Sequence, residues 1–181
     1  MSRVVKSTAL VAASLWVGVL FCLGFIVAPY LFALAARKSP SVPNTAVAAD
    51  LIGPLLYSSD VISLVVGAGL VAALVYLRRR GEVPLGCRLC LAEFGVGVAA
   101  GCAAVNYWWF APQIKNVKGQ LAERYGAFHQ VDKTDPLFAQ FNGLHQSSTT
   151  LFVVGLAAAL LCLICMTQFR SRQTDPQFTA A

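Results

Sequence analysis

Hydrophobic and polar positions separate along this chain into four long uncharged stretches: Ala9 to Ala36, Val61 to Leu77, Phe94 to Ile114 and Gln146 to Phe169. A hydrocarbon core of about 30 Å takes roughly 20 apolar residues of helix to cross. The pattern therefore predicts an all-α integral membrane four-helix bundle, one membrane domain over residues 1–181, with helices at about 9–36, 46–77, 86–112 and 137–169.

Local signals refine these elements. Pro29 removes a backbone donor late in the first helix and predicts a bend there. Ser41 or Asn44 would cap the second helix. The short connection from Arg78 to Pro84 makes the second and third helices antiparallel neighbours. Between the third and fourth helices, Ile114, Val117, Leu121 and Phe128 recur at helical spacing. They predict an amphipathic helix in the outer loop, lying on the bilayer or capping the bundle. Asp135-Pro136 has the form of an N-cap followed by a first-turn proline, so the fourth helix begins near Leu137 and stands proud of the membrane before crossing it.

Composition agrees with this picture. The chain is 57% hydrophobic and 12% charged, with a mean hydropathy of +0.67, against about 25% charged residues in soluble domains. The net charge of +6 would suit nucleic acid, but its placement follows membrane topology instead. Arg78, Arg79, Arg80 and Arg88 crowd the short turn, and Arg3, Lys6, Arg170 and Arg172 fall on the same side. Arg37, Lys38, Lys115, Lys118, Arg124 and Lys133 fall on the other, mostly spread through a long loop. The positive-inside rule then puts both termini and that turn in the cytoplasm. Arg3 and Lys6 before an apolar run imitate a secretory signal. The run is far longer than the roughly 7–15 residues of a signal's apolar region, so it is expected to stay as the first span.

Candidate chemistry is sparse. Asp60 and Glu93 are the carboxylates close to or within the spans, and ionisable groups there are functional candidates. They fall in opposite leaflets, which rules out a catalytic dyad. Glu93 is expected to meet Arg78, Arg79 or Arg80, and Asp60 to pair with Lys38 or Lys115 or to line a polar pocket. That pocket would gather Tyr57 and Asp60 from the second helix, Asn106 from the third, and Asn142, His145 and Ser148 from the fourth. It would bind a headgroup, a small solute or a proton; the alternative is a hydrogen-bond network between helices. Gly97-x-x-x-Gly101 lets a second helix approach closely, either within the bundle or in a homodimer. Cys87-x-x-Cys90 and Cys162-x-x-Cys165 lie near one end of their helices, where four thiolates would suit zinc. In apolar helix, however, cysteine also serves as a small buried residue. Two histidines, His129 and His145, do not face one another as a haem pair would, and no hydrolase, phosphate-loop or dinucleotide pattern occurs.

Trp16-x-Gly18, then Ala28-Pro29 and Leu31-Phe32, resembles the opening of the transmembrane protein 205-like family, which includes bacterial integral membrane proteins of unknown function. Ala104-Val105-Asn106 leading to Pro112 resembles the end of its third helix, and Phe141-x-x-Leu144-His145-x-x-Ser148 the start of its fourth. The similarity runs from about Leu15 to Ile164, and the paired cysteines lie outside its pattern. It implies a four-helix membrane fold without an established activity, with any shared site at Trp16, Gly18, Pro29, Phe32, Asn106, His145 and Ser148. The expectation is a non-enzymatic inner-membrane protein without a cofactor or nucleic-acid partner, structural or accessory in role. It would bind a lipid or protein partner, within the bilayer and a larger membrane complex. The rival readings are a small transporter subunit working as a homo-oligomer and a cytoplasmic-side thiol or metal protein.

Overall fold

The computed structural model describes residues 2–38, 44–81, 87–126 and 131–171, and the elements among them are helices. The first rod runs through α1 (Ser2–Phe21), a π-helical turn (Cys22–Val27) and α2 (Ala28–Lys38). The second is α3 (Asn44–Arg79). The third joins α4 (Cys87–Val105) through a second π-helical turn (Asn106–Phe110) to α5 (Ala111–Tyr125). The fourth is α6 (Pro136–Ser171). Each rod holds a segment long and apolar enough to cross a bilayer: Arg3–Leu34, Ile52–Arg79, Arg88–Tyr125 and Pro136–Gln168. The protein is a multi-pass membrane four-helix bundle.

Around the bundle each rod touches its sequence neighbours: α1 packs on α3 and α6, and α4 packs on α3 and α6. The interior is a column of Leu70, Leu74, Leu77, Leu89 and Val96, all sealed. Large apolar side chains also cover the outside, with Val65 68% and Leu15 65% exposed. A water-soluble bundle would show polar residues there; lipid needs none. Close approach of α4 to α6 depends on glycine. A Cβ on Gly95 would stand 2.7 Å from the carbonyl oxygen of Ala158, and one on Gly155 3.4 Å from Cys102 Cβ. Gly97 and Gly101 do not serve this contact. They face outward with nothing within 4 Å of a would-be Cβ, because Gly95 is two residues, roughly 200° of helix, from Gly97.

Both π turns end two residues before a proline, Pro29 and Pro112. A proline ring clashes with the carbonyl four residues back and offers no N–H. The preceding residue instead donates five residues back, Ala28 to Leu23 O and Ala111 to Asn106 O. That widens the turn. At Pro29, where a bend is expected, the helix changes its winding.

The amphipathic segment departs from expectation in one respect. It forms α5, but contiguous with the third rod through the second π turn and packed on α6 rather than in a separate loop. Its Val117 and Leu121 are buried against α6; Phe128 lies outside the described residues. The Asp135 cap forms as expected. Its Oδ1 accepts the backbone N–H of Leu137 at 2.8 Å, while Oδ2 accepts Arg124 Nη1 at 2.8 Å and the Tyr125 hydroxyl at 2.7 Å. One carboxylate thereby clasps the end of α5 to the start of α6. At the other end of the bundle Gly81, at φ +66°, closes α3 with its N–H on Arg78 O, the left-handed cap that glycine favours. Ser41 and the side chain of Asn44 lie outside the described residues.

Candidate functional site

Three helices bring polar side chains together inside the bundle, at the end away from Arg78–Arg80. At 1.5 Å per residue Asp60 stands about 28 Å along its helix from Arg79, and Asn106 about 27 Å from Arg88. Both therefore sit near the far edge of a core about 30 Å thick. Tyr107 and the exposed Trp108 and Trp109 girdle the bundle at that level, as interfacial aromatics do.

Asn106 opens the second π turn and is 8% exposed; Asp60 is 6% exposed. The Asn106 Nδ2 donates to Asp60 Oδ2 at 2.8 Å, and the Ser148 hydroxyl donates to Asn106 Oδ1 at 2.5 Å. Half a turn to one turn nearer the arginine end, the buried Trp16 indole N–H donates to Ser63 Oγ at 2.9 Å, tying α1 to α3. Ser59, also sealed, donates to Leu56 O. A cavity of about 20 Å³ opens beside Asp60, lined among others by Trp16, Ser63, Cys102, Asn106 and Phe152. That is room for one water molecule. A lipid headgroup does not fit it.

Of the predicted pocket residues, Asp60, Asn106 and Ser148 join in one chain of hydrogen bonds. Tyr57 stays at the rim, half exposed, its ring stacked on Tyr107 at 4.6 Å. Asn142 and His145 face outward, and His145 stacks on Phe141 at 6.0 Å. Three residues along a helix still differ by about 60° in direction, and the edge of the α4–α6 contact falls between His145 and Ser148. Lys115 is exposed and makes no ion pair with Asp60; the side chain of Lys38 lies outside the described residues. Of the motif positions, Trp16 is buried, while Gly18, Pro29 and Phe32 face outward. Ser63 escapes the sequence reading, and Cys102 reads there as a packing residue, although Ser59, Asp60 and Ser63 fall on one face of an otherwise apolar helix.

At the arginine end, Glu93 meets Arg78 at 3.2 Å, and Arg80 lies over the Tyr76 ring at 5.6 Å. Among the described cysteines of the two pairs, Cys90 does not join Cys162 and Cys165. Cys162 and Cys165 are buried in the core, with Cys162 Sγ 3.6 Å from Met166 Sδ, whereas Cys90 is exposed. The side chain of Cys87 and all of His129 lie outside the described residues. Among the described residues no group of three or more His, Cys, Asp or Glu is placed to hold a metal.

Comparison with known proteins finds no matching family model, no matching curated protein and no matching solved structure.

Proposed function

We propose that this chain is a non-catalytic accessory protein of a bacterial inner membrane, with both termini cytoplasmic. In this reading it presents α5 and the first turns of α6 to a protein partner beyond the outer surface. One observation carries it. The third rod crosses and continues as a single helix over Arg88–Tyr125, 38 residues or about 57 Å, and its excess over a 30 Å core is clasped to α6 by Asp135. A rigid polar hairpin outside the bilayer is a surface for protein recognition. Orientation rests on the basic residues concentrated at the turn end. Membership of the transmembrane protein 205-like family belongs to the same proposal. It is supported by Trp16, Asn106 and Ser148, which take part in the interior hydrogen bonds.

The test is mild-detergent purification from native membranes with mass spectrometry, comparing wild type with a variant carrying Lys115→Glu, Asn116→Ala and Gln120→Ala on the exposed face of α5. A membrane protein that accompanies the wild type and is lost from the variant is the expected result. Identical recovery with both, or none with either, overturns the reading.

A second reading, a homo-oligomeric transporter subunit, draws on Gly97 and Gly101, which the bundle leaves open. It predicts an oligomer that Gly97→Leu with Gly101→Leu reduces to a monomer, and solute flux in proteoliposomes.

A further inference from the structure

We infer that Asp60 is a proton-binding site inside the membrane domain, with the proton carried on Oδ1 against a single water molecule in the adjoining cavity. This goes beyond the accessory role and does not depend on it.

The two oxygens of this carboxylate are in different surroundings. Oδ2 accepts the Asn106 amide, whose orientation is set from behind by the Ser148 hydroxyl. Among the described residues Oδ1 has no hydrogen-bond donor, although Asp60 is more than nine-tenths buried and lines the cavity. Oδ1 is therefore left to the cavity, and a carboxylate anion among largely apolar neighbours is costly unless water reaches that oxygen. One water in a space of about 20 Å³ supplies a donor to the anion and an acceptor to the acid.

A proton is the ligand that this geometry accommodates. A metal cation needs about six oxygen ligands or more to replace its hydration shell. The cavity offers Asp60 Oδ1 and the Ser63 hydroxyl, which already accepts the Trp16 N–H; much of the remaining lining is hydrocarbon, including Leu20, Ala99, Leu151 and Leu156. A proton needs a single oxygen. The step is carboxylate plus a proton from water giving carboxylic acid, with no other bond made or broken, so the site passes from charge −1 to 0. Oδ2 stays an acceptor in both states, and the bonds to Asn106 and Ser148 persist.

The groups facing Asp60 leave it without a compensating charge. Trp16 and Leu20 come from the first rod, Ala99, Cys102, Ala103 and Asn106 from the third, and Leu151, Phe152, Gly155 and Leu156 from α6. Cys102 is the one other titratable residue lining the cavity. Tyr57, one turn above Asp60 on α3, points to the rim.

The experiment is infrared difference spectroscopy of the full-length protein in lipid nanodiscs over a pH titration, with aspartate selectively carbon-13 labelled. The expected result is a protonated-carboxyl band that shifts with the label, grows as pH falls, and is lost in Asp60→Asn. Asn106→Ala should keep the band and displace its midpoint, because Oδ2 loses its donor. Cys102→Ser should leave it in place. Five aspartates carry the label, Asp50, Asp60, Asp132, Asp135 and Asp175, so Asp60→Asn assigns the band, and Asp60→Glu is the second variant, which keeps a carboxyl and should carry the band without sensitivity to the label. Asp132 and Asp135 are each held below the usual carboxylate range by hydrogen bonds, from the Thr134 backbone and the Tyr125 hydroxyl first. No label-sensitive band, or one unchanged in Asp60→Asn, overturns the proposal.

Discussion

Two glycines separated by one residue on α4 answer to opposite constraints. Gly95 lies against the α6 backbone, where neither Ala158 O nor Cys162 N can yield cheaply. Gly95→Ala should destabilise the protein by about 1–3 kcal/mol, the usual cost of forcing atoms into a filled contact. Gly97→Ala meets nothing and should be neutral or slightly stabilising, since alanine is the better helix former. Thermal unfolding of the two variants in one detergent checks the contrast; equal midpoints would contradict it. Asp135 carries a pH dependence of definite sign. The Tyr125 hydroxyl, the Leu137 backbone N–H and Arg124 hold its carboxyl below the usual range. The clasp's stabilisation is therefore fully present above the unfolded value, about 3.9, and is lost as pH falls through the lower folded value. Protection of the amides of residues 121–126 and 137–139 should persist down to the ordinary carboxylate range and be lost below it. In Asp135→Asn that pH dependence should vanish.

At the scale of elements, the helices were legible because their period and length are written in the side chains, whereas their winding was not. Nothing in Ala28-Pro29 or Ala111-Pro112 distinguishes a kink from a π turn. The outcome depends on whether the packed neighbours let the carbonyl displaced by the proline be taken up in a wider turn. The same holds for α5: its apolar stripe is local, but whether it lies on lipid or on α6 depends on the clasp at Asp135. Between α1 and α3 the bond from Trp16 to Ser63 is buried on both sides. Trp16→Phe should cost about 0.6–2 kcal/mol, the range for hydrogen bonds between membrane helices. A denaturant series in mixed micelles measures it, and Ser63→Ala combined with Trp16→Phe should then add little.

For the whole molecule, the apolar exterior belongs in lipid, and the proposed orientation rests on the basic residues at the turn end. With the six cysteines replaced, Lys118→Cys should react with an impermeant maleimide from outside intact cells, and Arg79→Cys only after permeabilisation. Equal labelling from outside would reverse or abolish the assigned topology. The candidate site also becomes intelligible at this scale. Asp60, Asn106 and Ser148 lie 46 and 42 residues apart in sequence, and the antiparallel rods bring them to one level. His145 fell out of the site because a shared helical face is broader than the seam between two helices.

By itself the sequence determined the number of spans, the all-helical class, the cap at Asp135 and the meeting of Glu93 with the arginine turn. Hydrophobic length, turn chemistry and charge density are local quantities that chain neighbours suffice to specify. The tertiary structure alone decided which glycines pack, which polar residues turn inward, that α5 prolongs its rod, and that the polar centre leaves a cavity of about 20 Å³, too small for a headgroup. Those outcomes depend on how four rods rotate about their own axes against one another. A rotation of a few tens of degrees exchanges lipid-facing and interior positions without changing any residue.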